Sequence, residues 1–177
     1  MRHLLTNIEG IHMNNYLDQF QKLKEKKFTS SDELLNFFDS LPSISLEEIW
    51  GKWKGDVFDG PWNVESLQQI NWFGKWFKSN LNAIPAICFN EHNELFSNQL
   101  MKGEATMWDV TFRAKTSATM IYDHLPLFDH FRKIDKNTVM GIMSGKPFEG
   151  APNFILEGGY NFFYLERISE FPTKYID

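Results

Sequence analysis

One stretch, Tyr122-Asp123-His124-Leu125-Pro126-Leu127-Phe128-Asp129-His130-Phe131-Arg132, gathers a phenol, two carboxylates, two imidazoles and a guanidinium around a proline turn. Metal binding is the first chemistry such a set suggests. It fails on ligand count, because His124 and His130 supply at most two of the three or four ligands a zinc ion needs. No metal and no other cofactor is therefore expected. Acid–base chemistry is the second, with Tyr122, Asp129 and His130 as its groups. Adjacent residues of a strand face opposite ways, so neither Asp-His pair orients its own histidine. An enzyme stays open as the alternative reading, with the weight against it. Anion capture is the third: Arg113 or Arg132 would hold a carboxylate or phosphate headgroup while an apolar tail fills the interior. The plainer reading beside it is an internal Asp–Arg bridge that fixes the turn. Alternation sets Leu127, Asp129 and Phe131 on one face and Phe128, His130 and Arg132 on the other. Each face thus carries a charge among apolar groups, which is costly unless the charge is paired.

These groups need a scaffold, and the rest of the chain describes one. In Gly51-Lys52-Trp53-Lys54-Gly55 an extended register puts Gly51, Trp53 and Gly55 on one face and the lysines on the other. A large ring between two residues without side chains fits a strand of a curved sheet, spanning Glu48 to Val57. Further strands are expected at Ala83–Phe89, Thr106–Arg113, Thr116–Asp123, Leu127–Ile134, Thr138–Met143 and Tyr160–Ile168. Asp135-Lys136-Asn137 makes a hairpin turn, and Ser144 to Gly159 a long loop. Helices precede the strands. Tyr16, Phe20 and Leu23 form an apolar stripe through Asn15–Lys27, and Ser30-Ser31-Asp32-Glu33 has the form of a capping box ahead of Leu34 to Phe38. Asn63 can cap one short helix after the first strand, carrying Val64, Leu67 and Ile70. The pattern predicts a mostly-β (α+β) fold, an antiparallel curved sheet or closed barrel. Residues 1–27 form a helical extension, and 28–177 a single β domain.

Composition narrows the function. The chain of 177 residues is 16% aromatic with 17 phenylalanines, so rings must fill most of its interior or wall a pocket. A net charge of −5 argues against nucleic-acid binding, which needs a basic surface. The lone Cys88 lies in an apolar run and reads as a buried, inert thiol. No segment has the length and apolarity of a membrane span or a secretory leader, so a cytoplasmic protein is expected.

The chain resembles the mainly bacterial family named for its Gly-x-Trp-x-Gly signature (GXWXG), whose members carry a conserved C-terminal β domain. The carriers are Phe38-Asp39-Ser40-Leu41-Pro42, Gly51-Lys52-Trp53-Lys54-Gly55, Trp72-Phe73-Gly74-Lys75-Trp76-Phe77, Tyr122 to Arg132, Val139-Met140-Gly141-Ile142-Met143 and Phe162-Phe163-Tyr164-Leu165-Glu166-Arg167. The resemblance implies a lipocalin-like barrel of the bacterial cytoplasm with lipid binding as its role. In such barrels the signature tryptophan more often closes the bottom, with an arginine stacked across it. Arg167, on the last strand, is the natural partner of Trp53, since first and last strands meet when a sheet closes.

The expected function is binding of a small amphiphile, a fatty acid or phospholipid, in an aromatic and methionine-lined cavity. Trp53, Trp72, Trp76, Arg113, Met120, Tyr122, Phe131, Arg132 and Met140 are its candidate contacts. Gly51, Gly55, Asp129 and Arg167 make up a structural signature. A solid-core domain that docks a partner through its N-terminal stripe is a further alternative, and a homodimer is left open.

Overall fold

The computed structural model describes residues 15–62 and 70–176. The short helix expected from Asn63 lies outside the described residues. One sheet dominates, formed by β1 (Gly51–Val57), β2 (Trp72–Ser79), β3 (Asn82–Phe89), β4 (Leu95–Ser97), β5 (Ala105–Phe112), β6 (Lys115–Tyr122), β7 (Leu127–Lys133), β8 (Thr138–Gly145), β9 (Asn161–Ile168) and β10 (Tyr175–Ile176). Their order is β10-β4-β3-β2-β1-β9-β8-β7-β6-β5, all neighbours antiparallel except β10 with β4. The sheet curls until β5 meets β3 at Ala83 opposite Ala105, and Met107 donates its N–H to Asn80 O at 2.7 Å beside that bridge. This seam is a single bridge, whereas β5 and β6 pair over eight positions. The result is a large curved sheet that comes round on itself unevenly, not a regular barrel.

The expected strands are all present, and the differences have local causes. Gly74, which the sequence offers as the stop of the short helix from Asn63, instead lies inside a strand, β2 (Trp72–Ser79). Glu48 belongs to a short helix ahead of β1, and the capping box belongs there as well. Ser45 accepts from Glu48 N while Glu48 accepts from Ser45 N. Ser31, at the start of the helix over Asp32–Ser40, makes no side-chain cap bond. In chain order the helices among the described residues are α1 over 15–24, α2 (Asp32–Ser40), α3 (Leu46–Ile49) and α4 (Asn153–Leu156), the last inside the expected long loop.

Helix α1 packs against the sheet. Phe20 is fully buried and meets Phe58 and Tyr164 edge-on, and the Lys24 Nζ lies 3.3 Å from Glu166 Oε1. Along the other rim, Pro42 O accepts from Lys133 N and Ile44 O from Ala118 N, so the segment before α3 is hydrogen-bonded to β6 and the end of β7. No helix among the described residues is long and apolar enough to cross a membrane.

The interior is filled mostly by the protein itself. Trp53, Phe77, Met107, Met120, Phe131 and Leu165 are buried within one cluster, while Met140 lies on the other face of the sheet beside Arg132 and Tyr164. Phe77 and Phe131, from strands on opposite walls, stand 5.3 Å apart.

Candidate functional site

Near the Gly51 end of β1 the Gly-x-Trp-x-Gly segment is a plug. Trp53 is fully buried and donates its indole N–H to Ile49 O at 2.8 Å. Arg167 is its register partner on β9, and the guanidinium carbon lies 4.1 Å from the Trp53 ring centroid. The same guanidinium donates to Trp50 O at 2.6 Å and to Glu48 O, tying the stack to the chain entering β1. Gly51 sits at φ +126°, a conformation that glycine adopts without strain. A Cβ on Gly55 would overlap the Trp72 ring, so the second signature glycine is the bed on which Trp72 lies. Trp53 is thus placed as a plug, buried under the Arg167 guanidinium and outside the pocket wall described next.

Near the Val57 end the same interior opens into a pocket of about 80 Å³. Trp72 and Lys75 of β2, Tyr122 of β6, Phe163 of β9, Met143 of β8 and Met101 of the 3₁₀ turn after β4 wall it. Strict alternation would send Trp72 and Lys75 to opposite faces. The β2–β3 register shifts on both sides of Gly74, and this irregularity brings both residues inward. A Cβ at Gly74 would collide with the Trp53 carbonyl, so glycine is what permits β1 and β2 to approach at that shift.

Lys75 is the unexpected member. Its side chain is 4% exposed, and its Nζ lies 2.8 Å from Asp129 Oδ2 and donates to Pro85 O at 3.0 Å. Three rings surround the ammonium, with Trp72, Tyr122 and Phe163 centroids 5.6, 5.9 and 5.3 Å away. Asp129 is completely buried, and its Oδ2 also accepts from the Tyr122 hydroxyl at 3.1 Å. Its Oδ1 is buried with no hydrogen-bond partner among the described residues. Burial raises the Asp129 carboxyl above its ordinary range, an effect the Lys75 charge opposes. Burial also pushes the Tyr122 phenol well up, with the Asp129 charge adding to it. Strands β2 and β7 are separated in the sheet by β1, β9 and β8. The Lys75–Asp129 contact therefore spans the interior, from one wall to the wall opposite.

The other candidates fall elsewhere. Trp76, expected beside Trp72, is turned to the outer surface by the shift at Gly74, where it meets Phe171 and Tyr175 edge-on. Met120, Phe131 and Met140 are fully buried packing residues outside the pocket wall. The two arginines do not stand at the mouth. Arg113, in the β5–β6 turn, binds Asp39 through two N–H groups at 2.7 and 2.6 Å. Arg132 lies on the face of β7 opposite Asp129, 4.9 Å from the Phe38 ring centroid, and donates to Phe112 O at 2.7 Å. The expected Asp–Arg bridge does not form, because alternation separates its partners. His130 shares the Arg132 face, stacked between Phe112 and Phe128 and bonded to Thr119 Oγ1 and Ser144 Oγ. It does not reach the pocket, so the dyad of Asp129 with His130 is not assembled. Cys88 is buried and free, its thiol pushed up to about 11 by burial.

Comparison with known proteins agrees with this architecture. Residues 36–92 match the model of the GXWXG protein family, and residues 103–167 match a domain of unknown function, DUF4334. No curated protein matches the chain. A crystal structure of a protein from Thermomonospora curvata superposes with a TM-score of 0.73 at 26% identity, covering 87% of this chain and 99% of that one. The signature match takes in the Trp53 plug together with Lys75, and the second match takes in Tyr122, Asp129 and Arg167. The chain belongs to the GXWXG family and carries the DUF4334 domain as the second half of its sheet.

Proposed function

We propose that this protein binds a small, largely apolar molecule through a single neutral oxygen group that meets the Lys75 ammonium. The observation that carries the reading is a charged amine, almost fully buried, in the wall of a pocket lined mostly by apolar groups, with Tyr122 and Asn161 its other polar side chains. An ammonium has three N–H donors, and Asp129 and Pro85 account for two. The third is available to a ligand acceptor. A buried ion pair seldom repays its desolvation as a stability device, so its placement beside a cavity favours a binding role.

The head of the ligand is neutral on electrostatic grounds. Asp129 already balances Lys75, and a second carboxylate on the same buried ammonium would leave one anion without a counter-charge. This replaces the fatty-acid headgroup and its arginine anchor with an alcohol, ester or carbonyl oxygen. Size points the same way. About 80 Å³ is well under the ~300–1,000 Å³ of pockets that enclose drug-sized ligands, so the head and a few carbons enter. A longer tail would leave past Met101 and the exposed Leu100. We place this binding in the cytoplasm, in keeping with a single cysteine that forms no disulfide.

The test is a thermal-shift titration of the intact protein with the n-alkanols from butanol to decanol. Affinity should climb by about 0.8 kcal/mol per methylene while the enclosed volume fills, then flatten. Alkanoates of equal length should bind more weakly than the alcohols. An absence of stabilisation across the series would end this reading.

A further inference from the structure

Resting on that pocket, we propose that its ligand is an aldehyde or ketone and that Lys75 captures it covalently, as a Schiff base. Three features beyond simple binding lead there. The first is the choice of cation. A lysine nitrogen, unlike a guanidinium, becomes a nucleophile once it gives up a proton to a neighbouring base. The second is a proton acceptor already in contact. Asp129 Oδ2 is 2.8 Å from the amine, while Oδ1 is buried and bare, with lone pairs that nothing among the described residues uses. The third is the Tyr122 hydroxyl, which lines the pocket and donates to the same carboxylate at 3.1 Å, holding it in place beside the reacting atoms.

The step balances within these groups. Lys75 passes one proton to Asp129, and the free amine adds to the carbonyl carbon, forming the carbon–nitrogen bond. The carbonyl oxygen takes up the amine's second proton and becomes the carbinolamine hydroxyl. Asp129 returns the first proton to that hydroxyl, the carbon–oxygen bond breaks, and water leaves. The product is a protonated imine that keeps one proton on nitrogen, beside a carboxylate again. Charge in the pocket is unchanged from start to finish, one cation against Asp129. A carbonyl therefore enters, reacts and stays without adding any charge to a buried site. The positive imine also retains the Trp72, Tyr122 and Phe163 rings that now face the ammonium.

Hexanal is a suitable probe, trapped by cyanoborohydride and located by peptide mapping of the wild-type protein. Lys75 should be reductively alkylated at least about tenfold faster than the surface lysines, despite its burial. Excess hexan-1-ol should protect it by occupying the same pocket. Wild-type mapping needs no variant, so the result does not depend on one that fails to fold. As a second check, the pair replacement Lys75→Met with Asp129→Leu removes both charges together and should abolish the selective adduct. Hexanal and hexan-1-ol both stabilising the protein, with Lys75 trapped no faster than surface lysines, would overturn covalent capture while leaving reversible binding intact. Neither compound binding at all would overturn both.

Discussion

Replacing Asp129 by Asn removes one charge and changes almost no volume, so its effect reads the ion pair itself. In that variant the Lys75 ammonium, 4% exposed at its side chain, loses its counter-charge and keeps neutral partners alone: the Pro85 carbonyl, the amide oxygen that the substitution leaves, and the faces of three rings. Breaking a buried pair in this way costs about 3–5 kcal/mol. For a chain of this length, with a melting shift of about 2–4 °C per kcal/mol, the melting temperature should fall by roughly 6–20 °C. Removing the whole cluster, with Lys75→Met, Asp129→Leu and Tyr122→Phe together, leaves no charge and no hydroxyl stranded. Its stability should return to within about 2 kcal/mol of wild type. Urea unfolding at pH 7, followed by tryptophan fluorescence and extrapolated linearly, measures both variants. Asp129→Asn unfolding within about 1 kcal/mol of wild type would mean that the pair is wet in solution, and the argument from burial would collapse.

Two further perturbations test other parts of the frame. Burial, with the Arg132 charge adding to it, holds His130 down at about 4. The unfolded chain protonates this group near 6.5, so its share of stability is complete above that pH and is lost as pH falls toward 4. The loss reaches up to about 3 kcal/mol, and a His130→Gln variant followed by urea unfolding from pH 7 to 4 should lack that slope. Gly74→Ala places a methyl against the Trp53 carbonyl and the Gly55 amide, which are backbone groups that cannot step aside. The expected penalty is about 1–3 kcal/mol or more, read as a lower melting temperature; an unchanged value would refute the close approach of β1 and β2.

Much of the frame is legible in local pattern, and the site is not. Trp53 and Arg167 could be matched from sequence as the ring and the cation of the first and last long strands, and the β1–β9 register pairs them directly, although the sheet closes elsewhere, between β3 and β5. The strand edges lie within about a residue or two of expectation wherever β-branched and polar residues alternate. Lys75 escaped notice because its inward turn depends on a register shift at Gly74, which a run of four rings conceals. The partner of Asp129 was sought along the chain at Arg132, although an odd spacing of three puts those side chains on opposite faces of one strand. Its actual partner comes from across the sheet, a relation that closure creates and local spacing does not encode. The capping box shows the same limit: Ser30 with Glu33 and Ser45 with Glu48 share one pattern, and only the second has both reciprocal bonds.

The position of β1 between β2 and β9 has a consequence for how the molecule is made. Lys52 pairs with Ile168, so one edge of the signature strand stays bare until β9 has followed it out of the ribosome. At about 5–20 residues per second, that interval is roughly 6–20 s. Throughout it, the indole of Trp53 has no guanidinium to stack on, and a hydrogen-bonding edge is open to any neighbouring chain. Newly synthesised copies are thus most prone to stick to one another just before β9 arrives, and a chain cut short within β9 should be lost to aggregation far more than the few residues removed suggest.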